Sequence, residues 1–240
     1  MFENYPKTRT ILPKELQAIY KQHYKSNREG TTAASGLAQK MEQWLHKKVA
    51  DDVEKSHNKK TLEIGAGTLN QLMYEQPSYY DIVEPFRELY ENSPRLKNVK
   101  NVYNDIDEIE ISQKYDRVIS VATFEHILDL PKVVAKSCLL LNSKGSLRTS
   151  IPNDGTVLWG LGWRLTTGIE FRLRYGQDYG IMMRHEHVNT AAEVEEVLNY
   201  FYAVNKSQVF GLSKGIAFYR FYESSEPNVK RAEKYLDESH

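Results

Sequence analysis

The stretch Thr61-Leu62-Glu63-Ile64-Gly65-Ala66-Gly67-Thr68-Leu69-Asn70 decides the fold. A short apolar run ends in a glycine-bracketed turn, and the residues after it suit a helix. That succession is the strand–loop–helix opening of a Rossmann-like sheet. Gly65 and Gly67 let the backbone turn tightly and leave room for a ligand against the main chain, with Ala66 between them in the same turn. Glu63 stands two residues before the first glycine, at the carboxyl end of the strand. Open α/β sheets bind their ligands at that end.

A dinucleotide fingerprint, G-x-G-x-x-G, would place glycine at position 70, where this chain has Asn70. The third glycine lets helix and strand pack closely beneath a pyrophosphate, so its absence disfavours NAD and FAD. Glu63 points the same way: a carboxylate repels a phosphate and can face an ammonium group. S-adenosylmethionine (SAM) carries an ammonium and a sulfonium and no phosphate, and residue chemistry favours it.

The stretch resembles motif I of the class I SAM-dependent methyltransferases, [E/D]-x-G-x-G-x-G. Glu63, Gly65 and Gly67 match, and Leu69 replaces the third glycine. The resemblance implies SAM as cofactor and S-adenosylhomocysteine (SAH) as product. Glu84, nineteen residues after Gly65 and closing the second strand before Pro85, is placed to accept both ribose hydroxyls as a bidentate pair. In this family an Asp after the third strand accepts the adenine amino group and the next residue's backbone amide faces the ring; Asp105 and Ile106 match, an acceptor beside an apolar surface for the base. The expected strands are 61–64, Tyr80–Glu84, about Val99–Tyr103, Tyr115–Val121 and Ser146–Ile151, with Val121 bordering the cofactor. A Leu-Leu-Asn-x-x-Gly sequence before the fifth strand strengthens the resemblance, which covers about residues 60–151.

Composition narrows the function further. Lys+Arg and Asp+Glu are both 32, so the chain has no net charge and no electrostatic footprint for a nucleic acid. The lone Cys138 cannot form an internal disulfide, sits in a Leu-rich segment as a core residue, and fits a reducing compartment. The amino terminus lacks a signal pattern and no apolar run reaches membrane-span length, so a soluble cytoplasmic protein is expected.

The chain is expected to be one 240-residue domain. Residues 1–57 form an N-terminal helical extension, with helices from Pro13 to about Asn27 and from about Ser35 to Lys55. Residues 58–151 form the SAM-binding core and 152–189 a substrate-side insertion. The core ends over 190–222 with a helix capped by Thr190 and Glu193, then strands Lys206–Phe210 and Gly215–Tyr222; a charged peripheral helix or tail covers 223–240. The whole is a seven-stranded, mostly parallel sheet with helices on both faces.

For catalysis, His126 in Glu125-His126 titrates near neutrality and can take a proton from a hydroxyl, and His185 and His187 are further bases. Some O-methyltransferases bind a divalent metal with Glu-x-x-Glu-His at this place. Here the first position is Ala122, and His185 and His187 follow no recognised zinc spacing, so no metal is expected. The absence of an Asn/Asp-Pro-Pro-aromatic motif after the fourth strand disfavours methylation of nucleic-acid bases.

The insertion should choose the acceptor. Trp159 and Trp163 share a face if helical, and Arg164 and Arg184 can pair with carboxylate or phosphate. This reads as a lid over a small-molecule, glycan or lipid-linked acceptor, methylated at oxygen. The same Trp/Arg mixture also suits a homodimer interface or a membrane-surface helix. It resembles the insertion of uncharacterised bacterial class I enzymes with Gly-Ala-Gly-Thr-Leu-Asn. Other readings are a SAM- or nucleoside-binding partner protein without catalysis and, further off, an NAD-dependent oxidoreductase.

Overall fold

The computed structural model describes residues 2–17, 19–20, 36–53 and 58–238. Residues 14–17 and 19–20 are helical, while the rest of the first expected helix, to about Asn27, lies outside the described residues. Helix α1 (Gly36–Ala50) leads into β1 (Lys60–Ile64), β2 (Tyr79–Val83), β3 (Asn101–Tyr103) and β4 (Tyr115–Val121). Helix α2 (Leu130–Leu140) returns the chain to β5 (Leu141–Pro152).

Seven strands make one sheet in the order β3-β2-β1-β4-β5-β7-β6, where β6 is Tyr202–Ser213 and β7 is Ile216–Pro227. Strands β1 to β5 pair in parallel, and β7 runs antiparallel to both neighbours. The chain winds outward from β1 to β3, then crosses back to place β4 on the other side of β1. A crevice therefore opens between β1 and β4 at the carboxyl ends of the strands, where such sheets bind ligands.

The period of two along each strand divides the core. Leu62, Ile64, Val118 and Leu147 enter one layer with Val134 and Leu140 of α2 and with Val194 and Leu198 of α6 (Ala191–Phe201). Tyr80, Ile82, Ile119 and Phe221 enter the other with Val49 of α1, Leu69 and Leu72. Cys138 is a buried member of the first layer.

Three segments differ from the sequence reading. The connection after β1 holds only a 3-10 turn, Asn70–Met73, before Pro77, and those after β2 and β3 hold further 3-10 turns rather than helices. Strand β5 begins at Leu141 with a register shift against β4, so Asn142–Gly145 belong to the strand instead of a free turn. Of the helix or tail expected over 223–240, the structure has the helix, but β7 first runs on to Pro227, and α7 (Val229–Glu238) is not peripheral: it buries Ala232 and Leu236 in the core.

Helix α1 is held over the sheet by two buried arginines. Arg117 donates to the Val49 carbonyl at 2.9 Å, and Arg148 donates to Val49 at 3.0 Å and Lys48 at 2.8 Å. These are carbonyls that a helix end leaves without partners. Asp52 lies 3.2 Å from both guanidinium groups, and Glu75 pairs with Arg117.

The amino-terminal arm is extended and pinned. Arg9 donates to the carbonyls of His126 and His185, both at 3.0 Å, and Lys7 donates to Val188 at 2.7 Å. It thereby ties the loop after β4 to the segment that closes the insertion.

Candidate functional site

The glycine turn has the shape that its sequence requires. Gly65 has φ 72° and Gly67 φ 51°, where a side chain is disfavoured. A Cβ on Gly65 would lie 2.2 Å from Thr123 Cγ2, so the loop after β4 closes directly against it. Leu69, at the position of the missing third glycine, itself takes the left-handed conformation, φ 62° and ψ 36°. That costs roughly 1–2 kcal/mol, offset here by complete burial of the side chain against Val49 and Ile82.

Glu84 binds this turn. Its Oε2 accepts from Gly67 N at 2.8 Å and its Oε1 from Phe86 N at 3.1 Å. Each oxygen retains the capacity for one more hydrogen bond, which fits a pair of ribose hydroxyls. Glu84 stands against the turn, the exposed Asp105 follows β3, and residues 65–70 contain no Lys or Arg. These acceptors fit a nucleoside without a phosphate.

Two expected cofactor residues lie deeper than the sequence suggested. Glu63 is only 2 % exposed, accepts from Tyr80 Oη at 2.8 Å, and has its carboxyl pushed up to about 8 by burial. It sits beneath the turn as a largely protonated acid at neutral pH, not as an anionic face for an ammonium. The Ile106 side chain is buried in the core beside Ile109, so its backbone alone is left to border an adenine. Asp105 is exposed, and its Oδ1 accepts from Asp107 N at 2.8 Å. Val121 is half-buried at the end of β4, and Ala66 is buried in the α1-side layer.

Beside the crevice lies a cavity of about 420 Å³. Its walls come from α1, the ends of β4 and β5, β7, and three insertion helices: α3 (Val157–Leu165), α4 (Thr167–Tyr175) and α5 (Tyr179–Glu186). Trp159, Trp163, Tyr179 and Tyr219 form aromatic sides, while Glu125, His126 and His187 supply the polar groups. Ala122 borders it with φ 48°, a strained backbone at the end of β4.

His187 is held in one orientation and one tautomer. Its Nδ1 lies 2.8 Å from Asp154 Oδ2. A carboxylate can only accept, so Nδ1 carries the proton and the Nε2 lone pair is free. Burial works against the charged imidazole, but the Asp154 hydrogen bond and the nearby Glu125 outweigh it and raise the His187 pKa. Trp159 stacks on the ring at 6.3 Å. The His126 ring meets His187 edge-on at 4.9 Å, and its Nδ1 bonds the Glu186 carbonyl at 3.0 Å. Glu125 is buried, has one oxygen without a partner, and is pushed up to about 7 by desolvation. The ligand atoms of His126, Glu186 and His187 lie within 4.8 Å of one another, close enough for a divalent cation to bridge.

Helical phase removes three expected site residues from the cavity. Met183 lines it, so His185, two residues on, points away: its Nδ1 lies 2.6 Å from the Thr10 carbonyl and its ring meets Tyr20. Arg184, next to Met183, is exposed. Arg164, next to Trp163, lies over that indole at 4.5 Å on the outer side. The Glu125-His126 pair stands out in the sequence, whereas Asp154 does not. Asp154 follows directly on the carboxyl end of β5, the place where α/β sheets gather functional side chains.

Residues 34–196, about two thirds of the chain, match the family described as "Methyltransferase domain". A malonyl-[acyl-carrier protein] O-methyltransferase from Acetivibrio thermocellus is 30% identical over 139 residues. That match covers 55% of this chain and spans about half of the relative, 48%. Among solved structures, the plantazolicin methyltransferase BpumL, in complex with a pentazolic desmethylPZN analogue and SAH, superposes with TM-score 0.57. It is 13% identical, over 88% of this chain and 93% of that one. A SAM-dependent methyltransferase from Thermotoga maritima gives TM-score 0.54 at 12% identity, over 88% of this chain and 98% of that one. The chain has the methyltransferase fold and belongs to the methyltransferase domain family, whose cofactor is S-adenosylmethionine.

Proposed function

We propose that this chain moves a methyl group from SAM to a hydroxyl of a small-molecule or glycan-type acceptor seated in the aromatic cavity. When bound, SAM supplies a methyl group already activated on a positively charged sulfur. Glu84 and the Gly65–Gly67 turn hold the nucleoside, with Asp105, the Ile106 backbone and Val121 toward the base. Trp159 and Trp163 orient the acceptor and exclude water. His187 takes the proton from the acceptor hydroxyl at Nε2, and Asp154 stabilises the imidazolium that results. His126 packs against His187 and aligns it.

The observation that carries this reading is the Asp154–His187 pair at 2.8 Å inside a cavity beside the glycine turn. The O-methyltransferase name of the curated relative supports oxygen as the methylated atom. Calorimetric titration with SAM and SAH tests the cofactor, and SAH release against an acceptor panel tests the chemistry. Tight SAH binding with turnover lost in His187→Ala supports the reading. Turnover unchanged in His187→Ala rejects the base, and failure of SAM and SAH to bind rejects the cofactor site.

A further inference from the structure

Helices α3 and α4 are apolar on two sides. Their inner sides are accounted for: Trp159 and Trp163 line the cavity, and Phe171 is buried with Leu16 and Met182. Two residues away along each helix, on the opposite side, stand large aliphatic residues in water. On α3 these are Val157, Leu161 and Leu165, which are 79%, 49% and 65% exposed. On α4 they are Ile169 and Leu173, 50% and 84% exposed. Steps of four residues put each set on one helix face. Large aliphatic side chains exposed in such sets mark an interaction surface.

Charge says what covers this surface. The sequence Leu161-Gly-Trp-Arg164-Leu165 is followed eight residues later by Ile169-Glu-Phe-Arg172-Leu173, so each helix sets an arginine beside its aliphatic residues. Arg174 follows at once, and Glu170 is the only acid from residue 157 to residue 175. Arg164, Arg172 and Arg174 are all exposed. Aliphatic side chains that enter an acyl layer, flanked by arginines whose stems lie along it and whose heads meet phosphates, are the pattern of a helix lying in a membrane interface.

We infer that the outer face of α3 and α4 docks on an anionic lipid surface, which sets the helices that wall the aromatic cavity against the membrane. The inference rests on the methyl-transfer reading of that cavity and names the source of its acceptor, a lipid-anchored molecule. No described helix is long and apolar enough to cross a bilayer, so the attachment is peripheral.

The test is co-sedimentation of the full chain with vesicles of phosphatidylcholine alone and of phosphatidylcholine mixed with phosphatidylglycerol. The protein should pellet with the mixed vesicles, weakly with the neutral ones, and less as salt is raised. Leu165→Glu with Leu173→Glu, and separately Arg172→Glu with Arg174→Glu, should each weaken binding about tenfold or more. All these positions are exposed, so SAH affinity measured on the same preparations should stay within about twofold of wild type. Three results overturn the inference: no binding to mixed vesicles, equal binding to both kinds, or binding indifferent to both variants. A dimer in analytical ultracentrifugation that Leu173→Glu dissociates also overturns it, by assigning the face to a second copy. Loss of SAH binding in wild type would instead overturn the methyl-transfer reading, whatever the vesicles show.

Discussion

Glu84 at the end of β2 accepts the Gly67 N–H of the β1 turn at 2.8 Å, so one carboxylate ties the two ligand-binding loops together. Glu84→Ala frees the turn and removes the carboxylate proposed to hold the ribose. Losing a charge-assisted hydrogen-bond pair costs about 1.5–3 kcal/mol, roughly a ten- to hundredfold weaker SAH affinity. Calorimetric titration reads this directly, and affinity within threefold of wild type would sink the assignment.

The three histidines separate by position. His187→Ala should lower turnover by about 10²–10⁴ while SAH affinity holds, since the base acts on the acceptor alone. His185→Ala should leave turnover near wild type, because that ring faces Thr10 and Tyr20 and not the cavity. Steady-state SAH formation on both variants distinguishes the two roles.

The rate should rise with pH along a limb set by His187, since the base works only when neutral. Asp154 and Glu125 favour the charged imidazole, so this limb lies above the usual histidine range. Asp154→Asn removes the first of these and should move the limb to lower pH while reducing its plateau. Glu125, its carboxyl pushed up to about 7 by burial, is coupled to the same ring and titrates with it, and Glu186 and His126 also lie beside that ring. A limb that stays in place in Asp154→Asn would refute the pairing.

Glu63 makes stability depend on pH. Its folded value of about 8 lies above the ordinary carboxylate value of about 4.3, so the folded chain keeps a proton that the unfolded chain releases. The contribution is complete at acid pH and is lost as pH rises from about 4.3 towards about 8. Glu63→Gln does not titrate and can still accept from Tyr80. Its melting temperature should gain on wild type as pH goes from acid to mildly alkaline. A gap between the two proteins that stays constant with pH would contradict the buried, protonated carboxyl.

Arg117→Ala leaves the buried Glu75 without its cation and removes one of the two guanidinium donors to the Val49 carbonyl at the end of α1. Breaking a buried pair of this kind costs about 3–5 kcal/mol, which urea unfolding would show. The same helix carries Glu42 and Leu45 into the cavity wall, so weaker acceptor binding should accompany the lost stability.

What the sequence determined by itself was the frame. Strand β4 is legible as Tyr115–Val121 because alternate side chains must fill two separate layers. The capping box of Thr190 and Glu193 is legible because both hydrogen bonds run between residues three apart. The glycine turn and Glu84 are legible because strand order brings the ends of β1 and β2 together in every sheet of this kind. Tertiary structure decided the chemistry. Whether His185 or His187 faces the cavity depends on where α5 stops: His185 lies in its last turn, and His187 is the first extended residue after it. Asp154 meets His187 from 33 residues away, and Arg9 reaches the His185 carbonyl from 176 residues away. Such pairings are set by how loops fold over one another, and no local period encodes them.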